Sequence, residues 1–230
     1  LEIRRYAAPA CDDPVELVEK MTADLRVALK KNPALNAGIM QDGGHEMWNR
    51  TREGMQTLRD EGLLKGWREG IDRCHLLERI AGALKIFEPD AGKRAALLDR
   101  WSTAFDERNS TIDEVQDFLE RRYVAKCAKL TDDDRADLAD HIKFIANNKD
   151  RMRYVTLRKA GLPVGSGVTE STAKTAVGHR AKRSGQRWLE DNLRGVLTLR
   201  AIHQSERLQR FWAHFSRRYV ANVEALADVA

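Results

Sequence analysis

Three short stretches of this sequence put reactive side chains where a folded chain could use them. In "QDGGHEMW", Asp42 follows an apolar run and precedes two glycines. In "GIDRCHLLERI", Asp72 and His75 stand three residues apart with Cys74 between them. In "PVGSGVTES", Gly165 and Gly167 flank Ser166 and open a helix start that carries one acid, Glu170. A run of cations follows, Lys174, Arg180, Lys182, Arg183 and Arg187, with Trp188 behind them. An acid held at a turn after a strand is a rim of hard oxygen, which suits Mg²⁺. Metal ions gathered by separated carboxylates, beside cations that hold a polyanion, are the recurrent parts of phosphodiester chemistry. The ions activate a hydroxyl and stabilise the leaving oxygen, while the cations neutralise the backbone.

Each stretch has a plainer reading. Asp-Gly is a common turn pair. Asp72 and His75 share one face of a first helical turn, so Asp72 can be an N-cap and His75 a buried, hydrogen-bonded residue that steadies a neighbouring site. A zinc site would need further ligands, and only Cys127 or His141 could supply them, at unsuitable spacing. Glu170 in a first turn is favoured by the helix dipole, and Lys174 one turn on could pair with it or reach a phosphate.

The elements that must carry these residues are legible from periodicity and punctuation. Asp12 or Asp13 can cap a helix with Pro14 in its first turn and Val15, Leu17, Val18, Met21, Leu25 and Leu29 at helical spacing, ended by Asn32-Pro33. "LNAGIMQDGG" reads as a strand into a tight turn, "EMWNRTREGMQTLRDEGL" as an amphipathic helix, and "GWREGIDRCH" as a second strand running into the helix "LLERIAGALKIF". "LEIRRYAAP" could be a short strand or its tail. From Pro89 to Asn148 three amphipathic helices follow, with Asp90, Ser110 and Thr131 at capping positions. After "GLPVGSG" helix resumes in "VTESTAKTAVGHRAKR" and again from Leu189 to Val220. Asp42, Asp72 and Glu170 thus all fall at element ends, where open α/β sheets place their chemistry.

The chain has 230 residues, enough for a sizeable core, and its 42% hydrophobic and 33% charged content is that of a folded domain. No apolar run suits a membrane span, and three unpatterned cysteines suit a reducing cytoplasm. The net charge of +5 is uneven: Arg151 to Arg218 holds 15 Lys and Arg against 4 Asp and Glu. That polarity reads as a polyanion-binding face on an otherwise acidic body.

Together "QDGGHEMW", "GIDRCHLLERI", "PVGSGVTES" and "KRSGQRW" resemble, in order and spacing, the C-terminal catalytic region of bacterial insertion-sequence transposases of the DDE type. The likeness covers most of Asn36 to Arg218. It implies an α/β, mostly helical chain: a partial RNase H-like core interrupted by an all-helical insertion. Residues 1–75 would be incomplete core, 76–150 the insertion, and 151–230 the C-terminal core helices with a basic DNA-binding face. By resemblance Asp42 is the second catalytic aspartate and Glu170 the terminal glutamate, and these two hold Mg²⁺ or Mn²⁺, two ions in the complete enzyme. Asp72 and His75 match the accompanying Asp/Cys-x-x-His motif. Lys174, Arg180, Lys182, Arg183 and Arg187 would line transposon-end DNA, and Trp188 would stack on a base or sit in the core. The resemblance also implies a homo-oligomer on DNA, associated with a bacterial nucleoid. The family's first aspartate precedes everything here, and Asp12 and Asp13 cannot replace it, so the chain reads as an N-terminally truncated transposase expected not to cleave DNA by itself. Two other classes use the same features: a non-catalytic DNA-binding or assembly module, and a metal-dependent nuclease.

Overall fold

The computed structural model of the chain describes residues 5–8, 14–42, 45–165, 167–181, 185 and 187–227. These form two compact units, one of Leu1–Leu25 with Gly167–Ala230 and the other of Arg26–Ser166. The chain is mostly helical, with two short strands among the described residues. No described helix is long and apolar enough to cross a membrane.

In the Arg26–Ser166 unit, the end of helix α1 (Pro14–Lys31) leads into strand β1 (Ala37–Gln41). Helix α2 (His45–Asp60) then crosses to strand β2 (Trp67–Ile71). The strands run parallel, with Ala37 opposite Trp67 and Gln41 opposite Ile71. A parallel pair cannot be closed by a tight hairpin, which is why a helix of four turns separates them. Helix α3 (Arg73–Phe87) leaves β2 almost at once and buries Leu76, Ile80, Ala83, Leu84 and Phe87. That i, i+4, i+7, i+8 spacing forms one apolar face.

Helices α4 (Ala91–Glu107), α5 (Thr111–Lys126) and α6 (Asp132–Asn148) form the expected helical block, and the short α7 (Tyr154–Lys159) follows. Trp101, Phe105, Ile112, Val115, Leu119, Leu138, Ile145 and Tyr154 are buried among them. Trp101 meets Phe118 edge-on at 5.2 Å and Phe105 meets Tyr154 at 5.5 Å, an arrangement that aligns ring edges with ring faces. Asp90 and Thr131 cap as their positions predict, accepting from Lys93 N at 3.0 Å and Asp134 N at 3.1 Å. Ser110 does not. Its backbone is already helical (φ −70, ψ −10), and its side chain makes no capping bond, because a cap needs an extended residue. Thr111 ties the junction instead, its hydroxyl donating to Ala104 O at 2.9 Å. Helices α3 and α6 approach closely at Gly82, where a Cβ would stand 2.8 Å from the His141 Nε2.

The second unit contains helix α8 (Gly167–Thr172), a π-helical turn (Ala173–Gly178), and α9 (His179–Ala181). Helices α10 (Glu190–Gln204) and α11 (Leu208–Ala227) complete it. Two expectations fail here. The helix after Glu170 is not uniform, since the wide turn interrupts it. The continuous helix expected from Leu189 to Val220 breaks at Ser205–Arg207, where Glu206 takes the left-handed φ of 57. The Ser205 hydroxyl donates to Ala201 O at 2.7 Å and accepts from Arg5 N at 2.8 Å, local bonding that competes with helix continuation. Arg5–Ala8 belong to no strand. The Arg5 guanidinium donates to Thr172 Oγ1 at 3.0 Å and to Gln204 O at 2.5 Å, tying this segment to α8 and α10.

Candidate functional site

Asp42 is exposed and comes directly after β1, while Asp72 is fully buried and comes directly after β2. Gln41 and Ile71 are register partners, and Asp72 N donates to Gln41 O at 2.9 Å. The parallel register therefore sets both acids at the carboxyl end of the sheet, on neighbouring strands. One Asp72 oxygen accepts from Cys74 N at 2.6 Å and His75 N at 3.2 Å. Asp72 is thus the N-cap of α3, satisfying two amides that would otherwise be orphaned. His75, half-buried one turn on, sets its Nδ1 3.2 Å from Glu78 Oε2.

The glycine-flanked turn belongs to this place as well. Arg73 N donates to Val164 O at 3.1 Å, and a Cβ on Gly165 would stand 3.7 Å from the second Asp72 oxygen. Ser166 lies outside the described residues. So within this unit the structure brings together Asp42, Asp72, His75 and the Pro163–Gly165 stretch.

Two ionic networks brace that end of the unit, and sequence reasoning missed both. Arg73, next to Asp72, bonds the Asp106 carboxylate and reaches Ser102 Oγ at 2.9 Å. Arg158 of α7 grips the same Asp106 oxygen. Burial opposes ionisation of Asp106, but Arg158 and Arg73 outweigh it and hold its carboxyl below the usual range. On β2, Glu69 takes Arg52 as a two-pronged pair at 2.7 and 2.5 Å, Arg151 at 2.8 Å and Trp67 Nε1 at 3.2 Å. The Arg52 bond, with Trp67 and Arg151 adding to it against burial, pulls the Glu69 carboxyl down to about 2. Both guanidinium groups also lie over the buried Trp48 ring, at 5.4 and 4.9 Å. Tyr154 has a buried hydroxyl without a hydrogen-bond partner among the described residues. Burial, then the Asp72 charge, pushes its pKa up and keeps it neutral.

The other unit holds the remaining expected residues. Glu170 is exposed on α8, Lys174 is exposed in the π turn, and Arg187 is exposed ahead of α10, with Trp188 half-buried beside it. The Arg180 side chain, Lys182 and Arg183 lie outside the described residues. No family model, no curated protein and no solved structure matches this chain.

The basic stretch is less available to a polyanion than its charge suggests. Arg151 is held by Glu69, Arg153 by Asp113 at 2.5 Å, Arg158 by Asp106, Arg194 by Glu190 and Asp191 at 2.9 and 2.8 Å, and Arg207 by Asp24 at 2.9 Å. Arg200 donates to Ala176 O at 2.9 Å and Thr175 O at 2.5 Å, filling carbonyls of the π turn. These cations fasten the fold. A count of charges along the chain cannot separate them from Lys174 and Arg187, because their acidic partners are mostly remote in sequence.

Proposed function

We propose that the chain carries the late part of a DDE-type transposase core, an RNase H-like sheet interrupted by the helical block, acting on DNA ends. One observation carries the reading. Asp42 and Asp72 terminate adjacent parallel strands, and the turn leading to Glu170 lies against Asp72. The carboxyl ends of parallel strands are where α/β folds gather ligands.

In this reading Asp42 and Glu170 hold the metal, and Asp42 fits that task as an exposed, hard-oxygen donor at a strand end. Mg²⁺ or Mn²⁺, when bound, activates the attacking hydroxyl and stabilises the leaving oxygen. One Asp72 oxygen caps α3 and the other faces the Gly165 turn, so Asp72 positions the strand end and the turn beside it. His75 lies on the same helical turn and steadies that start. Lys174, Arg180, Lys182, Arg183 and Arg187 neutralise DNA phosphates, and Trp188 flanks them. Water opens a phosphodiester and leaves a 3′-hydroxyl, which then displaces the same kind of leaving group in target DNA.

The test is duplex binding by the purified chain across a salt series, with Mn²⁺ binding followed by proton relaxation. Five phosphate contacts give a slope of log K against log salt of about −4.5. Asp42→Ala and Glu170→Ala are expected to weaken Mn²⁺ binding and leave DNA affinity intact, while Arg187→Glu lowers DNA affinity and flattens the slope by about 1. Loss of DNA affinity in both alanine variants, or no DNA binding by the chain, would overturn the proposal.

A further inference from the structure

Helix α11 stands clear of the rest of its own unit. Every residue from Trp212 to Val223 is exposed. The large side chains are as bare as the polar ones: Trp212, Phe215, Tyr219 and Val223 are 48%, 51%, 63% and 48% exposed. At about 100° per residue, Leu208, Phe211, Trp212, Phe215, Tyr219 and Val223 fall within an arc of about 120°. They form one apolar side of the helix, with Asn222 the single polar residue in it.

The cations are arranged around that side. Arg218 lies at its rim, about 20° beyond Phe211, and His214, Arg210 and Arg217 continue around the back. The opposite rim is Ser216 and Gln209, both neutral. From Leu208 to Val223 the helix holds three arginines and a histidine, and no acid. An aromatic side with a cation at its edge and a basic polar side is the make of a helix that lies in an anionic membrane surface. The apolar side sinks about 5–10 Å to the boundary of headgroups and acyl chains. Arg218 is placed to reach lipid phosphates, and Trp212 and Tyr219 carry the half-polar rings that settle at that boundary.

Other occupants use less of the helix. Duplex DNA would engage the arginines and leave the aromatic side in water. The rings also make a poor platform for unstacked bases, because Phe211, Trp212 and Phe215 lie against one another at 5.1 to 6.1 Å and turn toward each other. A protein groove would take the apolar side and give the arginines on the back no partner. The potential of a charged plane reaches about 8 Å into solution, so it attracts the cations at the rim and the back together. We infer that α11 is an interfacial helix that docks the chain on an anionic lipid surface. The inference stands independently of the DNA chemistry proposed above, whose residues lie outside α11.

Vesicle binding by the full 230-residue chain, treated with nuclease, tests it. Of the five tryptophans Trp212 alone is exposed, so it reports on insertion. The chain is expected to sediment with phosphatidylglycerol vesicles and not with phosphatidylcholine vesicles, less so as salt is raised. Bromine on the acyl chains should quench its fluorescence, and Trp212→Phe should still bind while losing most of that quenching. Arg218→Gln should lower partitioning about fivefold, the effect of one cation near such a surface. Phe215→Glu and Tyr219→Glu should each lower it at least about tenfold, with an unchanged far-ultraviolet circular dichroism spectrum, because both side chains are exposed. A chain that ignores phosphatidylglycerol vesicles overturns the inference, including one that binds an acidic protein instead. So does binding that survives both glutamate substitutions, binding without quenching from the acyl chains, or equal binding to phosphatidylcholine.

Discussion

Replacing Glu69 by Gln keeps the shape of the side chain and removes its charge. The carboxylate serves two arginines and an indole at once, and it is only 19% exposed. Its pKa falls from 4.5 to about 2 in the folded chain. At about 1.4 kcal/mol per unit that difference is a ceiling of about 3 kcal/mol, and partial solvent screening brings the expectation to about 2 kcal/mol. The sign follows from which state holds the proton. Folding depresses this pKa, so the contribution is complete above pH 4.5 and is lost as the pH falls toward 2. Urea unfolding followed by tryptophan fluorescence should show the loss at pH 7 with an unchanged dependence on denaturant, and a melting temperature lower by about 4–8 °C. The gap between parent and variant should narrow between pH 5 and about 3. A variant within about 0.5 kcal/mol of the parent at pH 7 would refute the reasoning, since surface substitutions alone reach that size. So would a gap that stays constant with pH.

Asp72→Ala removes the α3 cap and should cost about 1–2 kcal/mol, whereas Asp72→Asn, which can still cap, should cost little; equilibrium unfolding of the two variants side by side checks this. His141 is buried between α3 and α6 against Gly82, and burial lowers its pKa, with Arg79 adding to that and Asp137 and Asp140 opposing. Stability from its neutral form is therefore present above the ordinary histidine value of about 6.5 and lost as the pH falls below it. Thermal unfolding at pH 7.5 and pH 5.5 should show a drop that His141→Leu removes.

Strands, helix faces and most caps could be read along the chain because each depends on local spacing. The strand at Ala37–Gln41 has an apolar run and an Asp-Gly-Gly stop, and α3 has an Asp four residues before a leucine face. Asp42 and Asp72 could be singled out for the same reason, as acids at element ends. What stayed hidden depends on contacts between distant residues. Glu69 and Asp106 look like ordinary surface acids until the fold brings Arg151 and Arg158 to them. The break at Ser205 was equally hidden, since its partner is Arg5 at the other end of the chain. The stretch of α11 was legible as helix, but helical spacing looks the same whether or not anything covers its apolar residues.

The wide turn at Ala173–Gly178 alters how the segment after Glu170 should be compared with other helices. A π turn accommodates one more residue than an α turn, so it offsets everything beyond it by about 100° around the axis. Lys174, inside the wide turn, and His179, beyond it, do not share Glu170's side in the way their numbers imply. A relative lacking a single residue here would present a different row of cations along that side while keeping nearly the same composition. Alignments that treat the gap as neutral would pair side chains that point in different directions.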